Sequence, residues 1–159
     1  MKKIASFTVN HLNLLTGVYV SRKDYLQSDV LTTFDLRFTK PNDEPVMDTD
    51  AIHAIEHLGA TFLRNDAEWG GKTIYFGPMG CRTGFYLILA GDLEPKQILD
   101  LLHRMIDFII GYEGQIPGAS PRDCGNYIDL NLPMAKYYAK KYLNEVILNI
   151  SEERIIYPE

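Results

Sequence analysis

The chain has 159 residues, of which 46% are hydrophobic, and this composition excludes a disordered protein and suffices for one domain, residues 1–159, with a core. The net charge of −5 and the absence of a large basic patch argue against nucleic acid as a partner. No apolar run is long enough to cross a bilayer, and "MKKIASFTVNH" lacks the apolar segment of a signal peptide. We therefore expect a cytoplasmic protein without a membrane partner.

The first predicted element is a strand within "DVLTTFDLRFTKPN", which the turn residues of "KPNDEP" end. Side chains alternate along it, and one face carries Val30, Thr32, Phe34, Leu36 and Phe38. This alternation predicts a half-buried strand. Arg37 lies on the opposite face, where it is either solvated or bound to an anionic group such as a carboxylate.

A helix is predicted for "DTDAIHAIEHLGATFLRN", residues 48–65, with Asp50 as its cap. Apolar side chains recur at helical spacing and form one stripe, which comprises Ile52, Ile55, Leu58, Phe62 and Leu63. A second stripe carries His53, Glu56 and His57. The helix thus combines a core face with a face whose side chains could bind a metal or take part in catalysis.

The remaining elements alternate between strands and helices without a regular β-α-β rhythm. Two strands are predicted around a turn at Gly80 and Cys81, within "KTIYFGPM" and "TGFYLILAG". Amphipathic helices follow over residues 94–114 and 132–150, separated by the Gly-, Pro- and Ser-rich loop "GQIPGASPRDCGN". The pattern predicts an α+β fold, an antiparallel sheet packed against α-helices in a single domain.

His53 and His57 are one helical turn apart, so both imidazoles can bind one ion. With Glu56 they form H-x-x-E-H, the inverted signature of zinc peptidases in which the Glu is a base. A solvated polar helix face is the alternative. Cys124 in the loop "SPRDCGNY" could supply a third ligand, and two imidazoles with a thiolate suit zinc, iron(II) or cobalt(II). His103 is interpreted as a surface or partly buried residue.

Cys81 in "GPMGCRTGF" allows two interpretations. A turn exposes a thiol, and a nearby cation such as Arg82 favours the reactive thiolate. Free cysteine is also among the most buried residue types, so a small buried side chain is equally consistent. A disulfide with Cys124 is not expected in a reducing compartment. Ser6 and His11 are further candidates near the N-terminus.

Five motifs occur in one order along the chain: "SF…NH", "LRFTKPN", "IHAIEHLGATFLRN", "GPMGCRTGFYL" and "SPRDCGN". Together they resemble the S-ribosylhomocysteine lyase family, which makes the precursor of the quorum-sensing signal autoinducer-2. The resemblance extends from about residue 6 to residue 142. The sequence departs from the family pattern at Asn10, Tyr75 and Gly77, where an Asp, an acidic residue and a Ser are usual.

The resemblance implies a homodimeric α+β enzyme with active sites at the subunit interface. It implies Fe²⁺, replaceable by Zn²⁺ or Co²⁺, held by His53, His57 and Cys124, with water or substrate in the fourth position. Glu56 and Cys81 would be the acid–base pair. The substrate pocket would include Ser6, His11 and Arg37.

The implied reaction moves the sugar carbonyl from C1 to C3 and then eliminates homocysteine, leaving 4,5-dihydroxy-2,3-pentanedione. The product could serve signalling or only the recycling of a methylation by-product. Three alternatives stay open at this stage: an inverted metallopeptidase, a non-catalytic metal-binding domain and an inactive relative of the family.

Overall fold

The structure is a computed structural model that describes Ile4 and residues 7–159. Ser6, which we predict to line the substrate pocket, lies outside the described residues. The described residues form a four-stranded antiparallel sheet and three α-helices, so the predicted α+β class is confirmed. Among these residues no helix combines the length and apolarity that crossing a membrane requires.

The sheet has the strand order β1-β2-β4-β3, with β1 at Gly17–Leu26, β2 at Asp29–Arg37, β3 at Thr73–Pro78 and β4 at Gly84–Ala90. Strand β1 is an addition to the predicted elements. Its second half is mostly partly buried or exposed and rich in polar residues, so it lacks an apolar alternation that would mark it. It forms a hairpin with β2, and Gln27 in the connecting turn has a φ of +52°.

The helices are α1 (Thr49–Asn65), α2 (Leu99–Gly111) and α3 (Leu132–Glu145). Helix α1 starts after Asp48, so the prediction of Asp50 as its cap is wrong. The Asp50 carboxylate lies in the first turn and accepts a hydrogen bond from the Ala51 amide at 2.7 Å. Short 3₁₀ segments at Pro95–Ile98 and Ile147–Asn149 replace the two ends that the longer helix predictions included.

One hydrophobic core joins the helices to the inner face of the sheet. Four of the five α1 stripe residues are buried, Phe62 being only partly buried. The apolar stripe of the second predicted helix is buried throughout and comprises Ile98, Leu101, Leu102, Met105 and Ile109. Helix α1 packs closely on β3, because a Cβ added at Gly59 would lie 2.5 Å from the Phe76 ring. This close contact fixes the helix that carries the candidate ligands.

The second face of β2 is buried too, which the prediction of a half-buried strand missed. Asp35 is 1% exposed and Arg37 is 3% exposed. The C-terminal segment returns over this face, where the Tyr157 ring stacks on Tyr19 at 4.8 Å and its hydroxyl donates to Asp35 at 2.9 Å. Alternation along β2 carries no information about a segment more than a hundred residues away.

Candidate active site

Two imidazoles and one sulfur converge between α1 and the loop before α3. His53 Nε2 and His57 Nε2 are 3.1 Å apart, and Cys124 Sγ lies 3.4 Å from His53 Nε2. The candidate ligand atoms of the three residues all lie within 4.8 Å of one another. The structure therefore brings together the three side chains that the sequence analysis paired with a metal.

Hydrogen bonds fix the direction in which both imidazoles point. Nδ1 of His53 lies 2.8 Å from the Asp129 carbonyl oxygen, and Nδ1 of His57 lies 2.7 Å from that of Pro117. Because a carbonyl oxygen only accepts, each Nδ1 carries the proton and each Nε2 keeps its lone pair. The Asn126 amide donates to Cys124 Sγ at 3.4 Å, so the sulfur too is held by its loop.

Two of the three separations, from His53 Nε2 to His57 Nε2 and to Cys124 Sγ, fit a tetrahedral divalent ion. Bonds of roughly 2.0–2.1 Å to nitrogen and about 2.3 Å to sulfur place two nitrogens about 3.3 Å apart and nitrogen and sulfur about 3.6 Å apart. The observed 3.1 Å and 3.4 Å differ from these values by only a few tenths of an ångström. Two lone pairs facing each other repel unless a cation lies between them, so the donor set matches a bound metal.

Glu56 stands beside this group. Its Oε2 is 3.8 Å from His57 Nε2, and its side chain is 32% exposed. Glu56 and His53 line a cavity of about 450 Å³ that also includes Met79 and Gly80 from the β3–β4 turn. A carboxylate in this place can reach both a ligand in the cavity and solvent.

Cys81 is exposed at the β3–β4 turn, so the interpretation as a buried apolar side chain is wrong. Its Sγ lies 3.0 Å from Thr83 Oγ1 and 3.8 Å from Arg37 Nη1. The next residue, Arg82, has a φ of +60°, and its main-chain amide and carbonyl bond to Met79 and Met47. Both cysteines are free, as expected.

Arg37 is buried, so the solvated alternative is wrong, and the carboxylate that it binds belongs to its own strand. Nε and Nη2 donate to the two Asp35 oxygens at 3.1 Å and 2.5 Å, and Nη1 donates to Thr83 Oγ1 at 2.6 Å. Burial disfavours the charged guanidinium, but the Asp35 carboxylate outweighs burial and raises the pKa of Arg37. Asp35 and Thr83 are not among the site residues predicted from the sequence.

His11, Arg37 and Cys81 line a second cavity of about 250 Å³. It shares Met79 and Gly80 with the cavity that holds His53 and Glu56. Within one chain, the predicted site residues thus fall into two neighbouring groups rather than one. His103 lies apart on α2, with a 43% exposed side chain 3.5 Å from Asp107, in agreement with its interpretation as a surface residue.

The departures from the family pattern have local explanations. The Asn10 side chain donates to the Glu159 main-chain oxygen at 2.9 Å, which an Asp carboxylate could not do. A Cβ at Gly77 would lie 2.0 Å from the Tyr75 hydroxyl, so Gly77 is required where Tyr75 takes this orientation. Tyr75 also lines the 450 Å³ cavity.

The fold and the His₂Cys group define an α+β protein with a candidate metal site next to an exposed cysteine. Residues 4–153 match the family model described as S-ribosylhomocysteinase (LuxS). The chain is 65% identical to the S-ribosylhomocysteine lyase of Finegoldia magna over 100% of both chains. It is 62% and 54% identical to those of Clostridium beijerinckii and Desulfotalea psychrophila over 99% of each chain.

The chain therefore belongs to the S-ribosylhomocysteine lyase family, and it is an enzyme, a carbon–sulfur lyase. The resemblance inferred from five motifs is confirmed. Membership sets aside the inverted metallopeptidase and the non-catalytic metal-binding domain as alternatives.

Proposed function

We propose that this chain cleaves S-ribosylhomocysteine to homocysteine and 4,5-dihydroxy-2,3-pentanedione, with Fe²⁺ held by His53, His57 and Cys124. This proposal rests on the convergence of two imidazole Nε2 atoms and the Cys124 sulfur. The mixed nitrogen and sulfur donor set also suits Zn²⁺ and Co²⁺, either of which can substitute. The product is the precursor of autoinducer-2.

The reaction needs proton carriers, because each carbonyl shift removes a proton from one carbon and returns one to its neighbour. When bound, the metal supplies Lewis-acid stabilisation of the negative charge on the sugar oxygens, worth several kcal/mol. No external redox cofactor is required, since the oxidation of one carbon balances the reduction of the next. In the last step C4 loses a proton, the C5–sulfur bond breaks and homocysteine leaves.

Glu56 and Cys81 are the proposed proton carriers. Glu56 lies in the cavity that His53 lines, where a carboxylate can take a carbon-bound proton and return it. Cys81 lies in the adjoining cavity, where its thiol is exposed and its sulfur lies 3.8 Å from Arg37 Nη1. Two carriers in neighbouring cavities can act on different positions of one extended substrate.

Ser6, His11 and Arg37 are the proposed substrate-binding residues. His11 and Arg37 line the cavity that contains Cys81. Three of the five guanidinium N–H groups donate to Asp35 and Thr83, and a fourth, on Nη1, is directed to Cys81 Sγ at 3.8 Å. The fifth, on Nη2, can hold a polar or anionic part of the substrate, such as the homocysteine carboxylate.

We further propose that residues 1–159 act as one domain within a cytoplasmic homodimer that has no nucleic-acid partner. The separation of the site residues into two cavities of one chain supports dimerisation, because a second copy can complete each active site. Tyr75, which is 46% exposed and lines the cavity with Glu56, offers apolar surface there. The acidic net charge of −5 argues against a nucleic-acid partner.

Metal content and homocysteine release from the purified protein test the proposal together. Cys124→Ala should lose the metal, whereas Cys81→Ala should keep it and lose turnover. His103→Ala removes an exposed histidine outside the site and should change neither quantity. If the Cys124→Ala and Cys81→Ala variants both retain iron and full turnover, the assignments are wrong.

Glu56→Gln isolates proton transfer from metal binding. The amide keeps the size of the side chain but cannot take a proton, so the variant should retain metal and bind substrate without turnover. The rate at which carbon-bound hydrogen of the substrate exchanges with deuterated solvent should fall together with turnover. Exchange at the wild-type rate would remove Glu56 from the reaction.

A further inference from the structure

We propose that Thr83 is a positioning residue for Cys81: its hydroxyl accepts a hydrogen bond from Arg37 and directs its own proton to the Cys81 sulfur. This inference rests on the proposed role of Cys81 as a proton carrier. It adds a residue of the β3–β4 turn that the motif comparison does not assign to the site.

The direction of the hydrogen bonds follows from what each group can donate. Arg37 Nη1 lies 2.6 Å from Thr83 Oγ1, and a guanidinium only donates, so the hydroxyl oxygen is the acceptor. The hydroxyl carries one proton of its own, and Cys81 Sγ is 3.0 Å away. When Cys81 is ionised its sulfur only accepts, and the order of donation is then Arg37 to Thr83 to Cys81.

The hydroxyl bridges a gap that Arg37 spans poorly by itself. The direct distance from Nη1 to Sγ is 3.8 Å, near the limit for a hydrogen bond to sulfur. Thr83 is 5% exposed, whereas Cys81 is exposed, so the donor approaches the sulfur from the protein side. The opposite side of the sulfur stays open to a ligand in the cavity.

The position of Thr83 is fixed from several directions. Its main-chain oxygen accepts from the Phe38 and Thr39 amides at 2.9 Å and 3.1 Å. Its branched side chain has few rotamers, and Arg37 is itself held by Asp35 through two hydrogen bonds. A hydroxyl held in this way can favour the thiolate without reorganising when the proton arrives or leaves.

Thr83→Val tests this arrangement because valine keeps the shape and removes the hydroxyl. The measurement is the rate of Cys81 alkylation by iodoacetamide against pH in the metal-loaded enzyme, with the Cys81 and Cys124 peptides separated by mass spectrometry. The midpoint of the curve should move up by about one pH unit, as expected for losing one hydrogen bond to a charged group. Alkylation at pH 7 should fall several-fold.

Thr83→Val and the wild type contain the same other groups facing the Cys81 sulfur. The cavity around Cys81 is lined by His11, Asp35, Arg37, Tyr86 and Tyr157, and Arg82 is its neighbour in sequence. Burial raises the pKa of Tyr86 and of Tyr157, so both stay neutral over the tested range. Because the variant removes none of these groups and changes only the acceptor of one Arg37 N–H, a shift of the curve reports the loss of the hydroxyl and its two hydrogen bonds.

Thr39→Val is the matched control. Thr39 is 1% exposed and neighbours Thr83 through a main-chain hydrogen bond, but among the described residues its hydroxyl has no partner. This variant should leave the alkylation curve unchanged. Thr83→Ser keeps a hydroxyl and should return the curve most of the way to that of the wild type.

Turnover supplies a second readout. Thr83→Val should lower kcat more than it changes KM, and Thr83→Ser should restore kcat. If Thr83→Val lowers the melting temperature by more than a few degrees, the alkylation curves of Thr83→Ala and Thr83→Ser are compared instead. The midpoint of the Thr83→Ser curve must then lie at the lower pH.

Alkylation curves of Thr83→Val and the wild type that superimpose would overturn the inference. Superimposed curves can be told apart from a failure of the proposed function. Full turnover by Cys81→Ala would remove Cys81 from the reaction, whereas the alkylation curve reports the contact between the hydroxyl and the sulfur in either case.

Discussion

At the scale of single residues, the direction of each hydrogen bond decides what a side chain can do in this site. The two carbonyls behind His53 and His57 fix which nitrogens face Cys124. Sequence spacing predicts that the two imidazoles share a face, but it cannot supply the carbonyls of Pro117 and Asp129. These come from the loop that also carries Cys124, so that loop supplies both the third ligand and the orientation of the first two.

Tyr157→Phe should destabilise the protein by about 1–2 kcal/mol. The substitution keeps the ring that stacks on Tyr19 but removes the hydroxyl that donates to the buried Asp35 carboxylate. Urea unfolding measures the change. Tyr137→Phe, at a 56% exposed side chain, should stay within about 0.5 kcal/mol of the wild type. Equal stability of Tyr157→Phe and the wild type would show that the hydroxyl contributes nothing to holding the Asp35–Arg37 pair.

Two neighbouring buried threonines of β2 should respond in opposite ways to valine. Thr32 Oγ1 donates to the Gly91 carbonyl at 2.7 Å and accepts from the Leu93 amide, so Thr32→Val should cost about 1–3 kcal/mol. Among the described residues Thr33 Oγ1 has no partner, so Thr33→Val should leave stability equal or higher. Urea midpoints of the two variants test this, and a larger loss for Thr33→Val would contradict it.

At the scale of elements, the sequence predicts best where one periodicity decides the outcome. The core stripes of α1 and α2 and the two strands around Cys81 follow from spacing alone. Strand β1 cannot be predicted in this way. Its polar half has no apolar pattern of its own and is held in the sheet by pairing with β2. Thr83 could not be recognised either, because its contact with Arg37 depends on the register that pairs Arg37 with Gly84. Asp35 had a weak signal, since it lies two residues from Arg37 on the same strand face.

Gly59→Ala should destabilise the protein by about 1–3 kcal/mol, although alanine favours a helix by about 1 kcal/mol. The added Cβ would meet the Phe76 ring at 2.5 Å, so α1 and β3 would have to separate. Thermal or urea unfolding measures the effect. Gly111→Ala at the end of α2 is the control, because nothing lies within 4 Å of its added Cβ. A Gly59→Ala protein as stable as the control variant would contradict the tight packing of α1 on β3.

At the scale of the whole molecule, the C-terminal segment covers the second face of the sheet, and tyrosines from β1, α3 and this segment lie near Asp35. Tyr157 stacks on Tyr19, and the Tyr142 hydroxyl donates to the Gly17 carbonyl at 2.9 Å. Burial, and then the Asp35 charge, raises the pKa of Tyr19 to about 12, and the pKa values of Tyr142 and Tyr157 are raised for the same reasons. The local sequence around Arg37 does not predict that the C-terminal segment covers this face.

The tyrosine pKa values predict loss of stability in alkali. Because the folded state holds these protons more tightly, the full free energy of unfolding is present below about pH 10, where unfolded tyrosine is also neutral. It should fall as the pH rises toward 12, by roughly 2–3 kcal/mol from Tyr19 alone. Urea unfolding from pH 8 to 11.5 measures the decline. Tyr19→Phe should show a shallower slope, and an unfolding free energy that stays constant to pH 11.5 would contradict the prediction.

X-ray absorption at the zinc edge of the zinc-substituted protein shows whether two imidazoles and the Cys124 sulfur hold one metal ion. We expect a nitrogen or oxygen shell at roughly 2.0–2.1 Å and one sulfur at about 2.3 Å. The sulfur should persist in Cys81→Ala and disappear, with most of the metal, in Cys124→Ala. A spectrum without sulfur, or one whose sulfur survives the Cys124→Ala substitution, would contradict the account.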